Sequence, residues 1–487
     1  MIVKKNAFIW SLIFIIISIS CNVAVFCQNG DEESQIFVFG YILLIELVLF
    51  LIANSKVSNQ VLNFGMVFII VLFIFNFGQV IINTYFKSLY PHVRFLLLLS
   101  KQEALFGLKY INLAFSTLCV GLLIAQIGLS NSKISEKDML MNSQIDFKGV
   151  AHFVILFTFP IKLMVDLLTL AVSITVGGAA ARTFLNTFPN VLVYWGKISL
   201  IGFALLLVIY KSEAYKQNRV FFFIEGYILL MMISGVRSEN VGYLLIFAFI
   251  YVACRENKVS IPKTMIYGLI GIVLLAFIIA VGEYRNVNTK SIGDFFEVFL
   301  NDLTKKNVVF SLLDTLGDTG YTAQCVINKW LPLYGASGGD SYYLGVFSVL
   351  PNIPRIFTFP GMITEKSYFA IKLQIAKTLS QNYLNIGGSL IGEQFFNFGL
   401  IGGVIATFVI GLFLGKISSK CSFYFEEKNY YGLIRIIPVM FATIYWVRDY
   451  FGGEFREVIW GPLVFYIIIN LLQKNRYINI NSMKKNL

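Results

Sequence analysis

The sequence predicts an all-α, polytopic membrane protein. Hydrophobic residues make up 57% of the 487 and charged residues only 14%, where soluble domains carry roughly a quarter. Mean hydropathy is +0.74. Apolar stretches of about 20 residues, the length that crosses a bilayer as a helix, recur along most of the chain. No soluble fold hides so much apolar surface.

These stretches fall near 7–26, 35–53, 64–84, 105–128, 148–170, 191–210, 219–236, 241–254, 263–283, 389–415, 430–447 and 457–473, about twelve spans in all. The first follows Met1-Ile-Val-Lys-Lys and lacks a small-x-small cleavage site. It therefore reads as an uncleaved helix and not as a signal peptide. Positive charge sets the direction. Lys4, Lys5, Lys56, Lys133, Lys137, Lys211, Lys216, Arg219, Arg255, Lys416, Lys420, Lys428 and the basic C-terminus share one side if both termini are cytoplasmic. Asp31-Glu32-Glu33 falls on the other side. Segment 85–104 dissents with Lys87, Arg94 and Lys101 outside; its run Leu96–Leu99 predicts a helix lying in the interface.

Three regions follow: spans 1–9 within 1–283, a large outer loop over 284–388 between spans 9 and 10, and spans 10–12 with a cytoplasmic tail over 389–487. The loop far exceeds a usual connection, which points to function or to a small folded subdomain. Phe295, Phe296, Phe299 and Leu303 recur there at helical spacing.

Several function classes are excluded. The net charge of +12 sits in short loops and at the termini, and no basic groove with interleaved aromatics stands out, so nucleic acid is not a partner. Six cysteines without CxxC spacing and two distant histidines, His92 and His152, argue against a zinc site or a histidine-dependent nucleophile. No metal and no cofactor is called for.

Arginines break the positive-inside pattern. Arg237, Arg285 and Arg448 each end an outward-running span, while Arg182 and Arg355 project from outer loops. A guanidinium grips phosphate through a planar fork of donors. Several at one depth make a candidate site for a lipid diphosphate. The plainer alternative is that each snorkels to lipid phosphates or balances Glu239, Glu283 or Asp449.

The clearest motif is Gly387-Gly-Ser389-Leu-Ile-Gly-Glu393-Gln-Phe-Phe-Asn397-Phe-Gly399, leading into span 10. Ser389, Glu393 and Asn397 are spaced i, i+4, i+8 and form one polar stripe. A carboxylate entering an apolar helix faces a cavity or a partner. Glu393 is thus a candidate general base, or else a structural partner of an arginine. Gly399 and Gly403 predict close helix packing. Lys162 and Asp166 stand i, i+4 and predict mutual neutralisation, while Glu46, Lys109 and Glu225 stand alone. Asp314, Asp318 and Asp340 are candidates for a divalent ion or for sugar hydroxyls, without EF-hand spacing.

Ser234-Gly-Val-Arg237-Ser-Glu239 at a helix end, Arg285, the long outer loop and then Gly-Gly-Ser-Leu-Ile-Gly-Glu393-x-x-x-Asn397-Phe-Gly together resemble the bacterial O-antigen and oligosaccharide repeat-unit polymerases of the Wzy type. The informative similarity covers roughly 220–455. The resemblance implies a GT-C-like enzyme of the bacterial inner membrane. It would join undecaprenyl-diphosphate-linked oligosaccharides at the periplasmic face, with lipid diphosphate as leaving group and no nucleotide sugar or obligatory metal. Arg237 and Arg285, with Arg448, would clamp the diphosphate. Glu393 would deprotonate the acceptor and Asn397 orient it. Arg355 would contact the second carrier or the glycan, and Glu239, Asp340 and Ser389 complete the substrate-binding set. Membrane lipid and a polysaccharide chain-length regulator are the further partners implied. The alternatives are a lipid-linked oligosaccharide flippase and an O-antigen ligase. A flippase is disfavoured by the absence of internal repeats, and a ligase by the absence of histidine from the large outer loop.

Overall fold

The structure is a computed structural model that describes residues 2–60, 62–86, 99–128, 141–177, 180–181, 184–185, 188–232, 234, 237–254, 280, 297, 299–300, 308–349 and 388–485. Among these, helices are the only regular element. They run α1 (Ile2–Cys27), α2 (Glu32–Ser58), α3 (Phe64–Tyr85), α4 (Lys101–Gly128), α5 (Phe147–Thr175), α6 (Asn190–Ile209), α7 (Ala214–Met232) and α8 (Arg237–Ala253). After the expected ninth span, which apart from Ala280 lies outside the described residues, come α9 (Val308–Cys325), a π turn (Val326–Trp330), α10 (Leu331–Tyr334), α11 (Asp340–Ser348), α12 (Leu390–Glu426), α13 (Tyr430–Trp446) and α14 (Phe451–Lys485).

Helix ends follow from capping chemistry. The Asp31 side chain accepts the Ser34 amide, with Glu32 and Glu33 in the first turn of α2 and Lys56 in its last, which suits the helix dipole. Asn63 caps α3, Ser389 caps α12 and Asn429 caps α13 in the same way. Outside the bilayer the Ser34 contacts also hold the Asp31 carboxyl below its ordinary pKa.

Eight described helices are long and apolar enough to cross a membrane: α1 to α6, α12 and α14. α8 and α13 are shorter apolar helices, and α7 occupies the expected seventh span. The chain is a multi-pass membrane protein. Contacts define two ends of the bundle. At the Asp31 end, Lys101 of α4 pairs with Glu33 of α2 at 2.6 Å, and the Leu390 amide of α12 donates to the Val447 carbonyl. At the Lys56 end, Gln60 reaches Glu426 and Ser422 of α12.

Two close helix crossings build the core. α4 lies on α12 where Gly121 meets Gly411 and Gly415 faces the Leu122 carbonyl; a Cβ on Gly411 would collide with the Leu118 carbonyl. The expected Gly399–Gly403 seam is not this crossing. Gly399 adopts φ +71° and breaks α12, and a Cβ on Gly403 would strike Phe395 of its own helix. The second crossing pairs α3 with α9, again through glycine: Gly78 faces the Leu313 carbonyl and Gly317 faces the Gln79 amide. α9 lies within the segment expected as an outer loop, yet it enters the bundle and buries Phe310 and Tyr321. The turn after it buries Val326 and Trp330. The helical Phe295–Leu303 segment and the interfacial helix of 85–104 lie mostly outside the described residues.

Candidate active site

Glu393 sits in the first turn of α12 at the Asp31 end and is fully buried. Its carboxylate accepts from three elements distant in sequence. Ser341 Oγ of α11 donates to Oε1 at 2.5 Å. Trp446 Nε1, the last residue of α13, donates to Oε2 at 2.5 Å. The Phe451 amide, first in α14, donates to both oxygens, at 3.0 Å to Oε2 and 3.2 Å to Oε1. Among the described residues every donor to Glu393 is neutral, and none is an arginine.

Asn397 lies one turn on and is also buried. Its Nδ2 donates to Ser341 Oγ at 2.7 Å and to the Glu393 carbonyl at 2.9 Å. Its Oδ1 accepts from Ser337 Oγ at 3.1 Å. Ser341 therefore bridges the two predicted residues: it takes a hydrogen from Asn397 and gives one to Glu393. The Ser337 and Gly338 amides donate to the Phe396 and Asn397 carbonyls, where the break at Gly399 leaves them without helical partners. Ser389 caps the helix by accepting the Gly392 amide at 3.1 Å. Aromatic rings close the centre. Tyr342 packs on Phe451 at 4.9 Å and Trp446 on Phe451 at 5.4 Å, while the Tyr342 hydroxyl donates to Gln394.

The structure brings together Glu393, Asn397, Ser389 and Asp340, which opens α11 beside Ser341. Arg448 lies in the α13–α14 connection between two Glu393 donors, its guanidinium 5.9 Å from the Phe75 ring centre. Arg237 is the first residue of α8. Arg285 and Arg355 lie outside the described residues. Glu239 is part of a separate ionic cluster. Lys197 of α6 pairs with Glu239 at 2.7 Å and with Glu457 of α14, and the Tyr243 hydroxyl donates to Glu239 at 2.6 Å. Lys162 pairs with Asp166 at 2.9 Å, and Tyr227 donates to Asp166. A polar cavity of about 40 Å³ joins Lys162, Asp166, Lys197 and Glu239, room for ordered water. Glu457 follows Phe451 by six residues, so along α14 the cluster begins about 9 Å from the Glu393 centre. Among the described residues no group of three His, Cys, Asp or Glu stands close enough to hold a metal ion.

A family model of O-antigen polysaccharide polymerases, described as O-antigen polysaccharide polymerase Wzy, matches residues 7–479. The chain belongs to the Wzy polymerase family. Neither a curated protein nor a solved structure matches it. As a Wzy polymerase the chain is a membrane-bound, glycosyltransferase-type enzyme of polysaccharide assembly. Sequence reasoning missed Ser341, Trp446 and the Phe451 amide, and also Lys197 and Glu457. The one signal for Ser341 is its place after Gly338, Gly339 and Asp340, in a stretch rich in glycine and tyrosine.

Proposed function

We propose that this Wzy polymerase joins undecaprenyl-diphosphate-linked oligosaccharide units at the Asp31 end of the bundle, and that this end faces the periplasm. The observation that carries the reading is the buried Glu393–Ser341–Asn397 centre at that end, beside Arg448 and at the same end as Arg237. The anomeric carbon of the growing glycan is attacked by the acceptor's sugar hydroxyl, and its bond to the carrier diphosphate breaks. Arg237, Arg285 and Arg448 offset the charge that develops on the leaving diphosphate. Glu393 takes the acceptor proton, and Asn397 orients the acceptor. Ser341 Oγ holds the seat an acceptor hydroxyl needs: it donates to Glu393 and accepts from Asn397, as that hydroxyl would. Gly335, Gly338 and Gly339, all at positive φ, let the Ser341 segment yield the seat. Arg355, Glu239, Asp340 and Ser389 belong to the substrate-binding surroundings. Membership of the family supports an inner-membrane location, the charge bias supports cytoplasmic termini, and a chain-length regulator is a proposed partner.

The test is purified protein in lipid nanodiscs with a synthetic undecaprenyl-diphosphate-linked repeat unit. A ladder of oligomers with release of undecaprenyl diphosphate is expected. Movement of the unit across a vesicle membrane without any ladder would instead mark a flippase and overturn the reading.

A further inference from the structure

α1 and α4 enclose a groove of about 400 Å³ that the Glu393 centre does not use, walled by Ile15, Ile19, Val23 and Phe26 with Leu113 and Val120. Ile19, Val23 and Phe26 are exposed. From Ile15 to Phe26 the groove follows α1 for about 17 Å, from mid-bundle to the Asp31 end.

Ser18, Asn22 and Ser116 also line it, but their polar atoms turn inward. Ser18 Oγ donates to Glu46 Oε1 at 2.7 Å, and Ser116 Oγ donates to the same oxygen. Asn22 Nδ2 donates to Ser116 Oγ at 2.9 Å, and Asn112 Nδ2 donates to Asn22 Oδ1 at 3.1 Å. Glu46, fully buried on α2, thus draws the hydroxyls behind the wall. What faces the groove is hydrocarbon, which suits a lipid tail.

The mouth carries a cation. Lys109 Nζ stands 5.9 Å from the centre of the Phe26 ring, and among the described residues no carboxylate pairs with it. The mouth is also linked to the Glu393 helix by ring contacts. Phe26 packs edge-on against Tyr110 at 5.8 Å, and Tyr110 against Phe395 at 6.4 Å. Phe395 follows Glu393 by two residues.

The geometry points to this groove as the seat of the isoprenoid tail of a polyprenyl diphosphate carrier, with Lys109 meeting its phosphates; this rests on the polymerase reading above. An ordinary bilayer phospholipid matches the apolar wall equally. Its phosphate would also meet Lys109; what favours the carrier is that the mouth leads by ring contacts to the helix that carries Glu393.

A photoreactive polyprenyl diphosphate, added to the protein in nanodiscs of phosphatidylethanolamine and phosphatidylglycerol, tests the assignment by mass spectrometry of crosslinked peptides. Crosslinks are expected within 15–27 and 113–120. Excess polyprenyl diphosphate should compete them away, and added phosphatidylglycerol should not. Val23→Trp, which fills the groove, and Lys109→Gln should each lower the crosslink yield several-fold. Lys109→Gln leaves the walls intact, so it keeps the test decisive if Val23→Trp does not fold. Equal competition by phosphatidylglycerol would overturn the assignment. Crosslinks elsewhere in a preparation that makes polymer would overturn the groove and spare the polymerase reading. Groove crosslinks in a preparation that makes no polymer from the lipid-linked unit would do the reverse.

Discussion

Replacing Glu393 by alanine or by glutamine should separate what the carboxylate holds from what it does. Alanine strands two donors that cannot turn away, the Trp446 indole N–H and the Phe451 amide. The Ser341 hydroxyl can rotate. Each orphaned buried donor costs about 1–3 kcal/mol, so Glu393→Ala should lose roughly 2–6 kcal/mol, a large part of a typical folding stability of about 5–15 kcal/mol. Glutamine behaves differently. Its amide oxygen can sit at the Oε2 position and accept both fixed donors, while its NH₂ donates to Ser341 Oγ. Glu393→Gln should therefore lose only about 1 kcal/mol. Thermal unfolding of the purified proteins in one detergent measures the difference, and gel analysis of surface glycan measures function. Glu393→Gln should be nearly as heat-stable as the parent yet make no long chains. An unfolding midpoint for Glu393→Ala equal to the parent's would refute the donor geometry. Parent-like chain lengths with Glu393→Gln would refute its use as a base.

Three further outcomes follow from packing and charge. Gly411→Ala should destabilise by about 1–3 kcal/mol, because the α4 backbone leaves no room for a methyl group; Gly226→Ala on α7, with open space around it, should match or exceed the parent in a thermal melt. Lys197→Met should cost about 3–5 kcal/mol by leaving Glu239 and Glu457 without their cation, and the triple variant Lys197→Met/Glu239→Gln/Glu457→Gln should recover much of that by the same melt. Cys27, exposed at the Asp31 end, should react with a membrane-impermeant maleimide on intact spheroplasts, whereas labelling only after lysis would invert the proposed orientation.

Much of this was legible in the sequence, for identifiable reasons. Spans read well because apolar length is a local property: the helices at 7–26, 64–84 and 148–170 stand where hydropathy places them. The Ser389–Glu393–Asn397 stripe was visible because it repeats every four residues on one helix. Its partners were not. Ser341 and Trp446 lie 52 and 53 residues from Glu393, and no spacing rule reaches that far. The partners of Lys197 are not legible in the sequence because both its acids sit on other helices. α9 does not read as a span because Asp314 and Asp318 lower its hydropathy, and the glycines that pack it against α3, Gly317 and Gly320, name no partner by themselves.

The Ser341 hydroxyl tests how a saturated carboxylate can serve as a base. A base whose oxygens are all engaged can accept a proton only from the group already donating to it, or from one that replaces that group. Trp446 and the Phe451 amide are fixed by the α13–α14 connection, and neither N–H is the hydroxyl the reaction deprotonates. Of the three donors Ser341 alone presents a hydroxyl, and it follows two glycines at positive φ, Gly338 and Gly339. Ser341→Ala should thus empty the seat. It leaves Asn397 Nδ2 with the Glu393 carbonyl and should cost about 1–2 kcal/mol in stability. Polymerisation should persist, with a lower KM for the lipid-linked acceptor because no resident hydroxyl competes. If Ser341 were itself part of the chemistry, kcat would collapse while KM held, and the exchange of hydroxyls at Glu393 would be wrong.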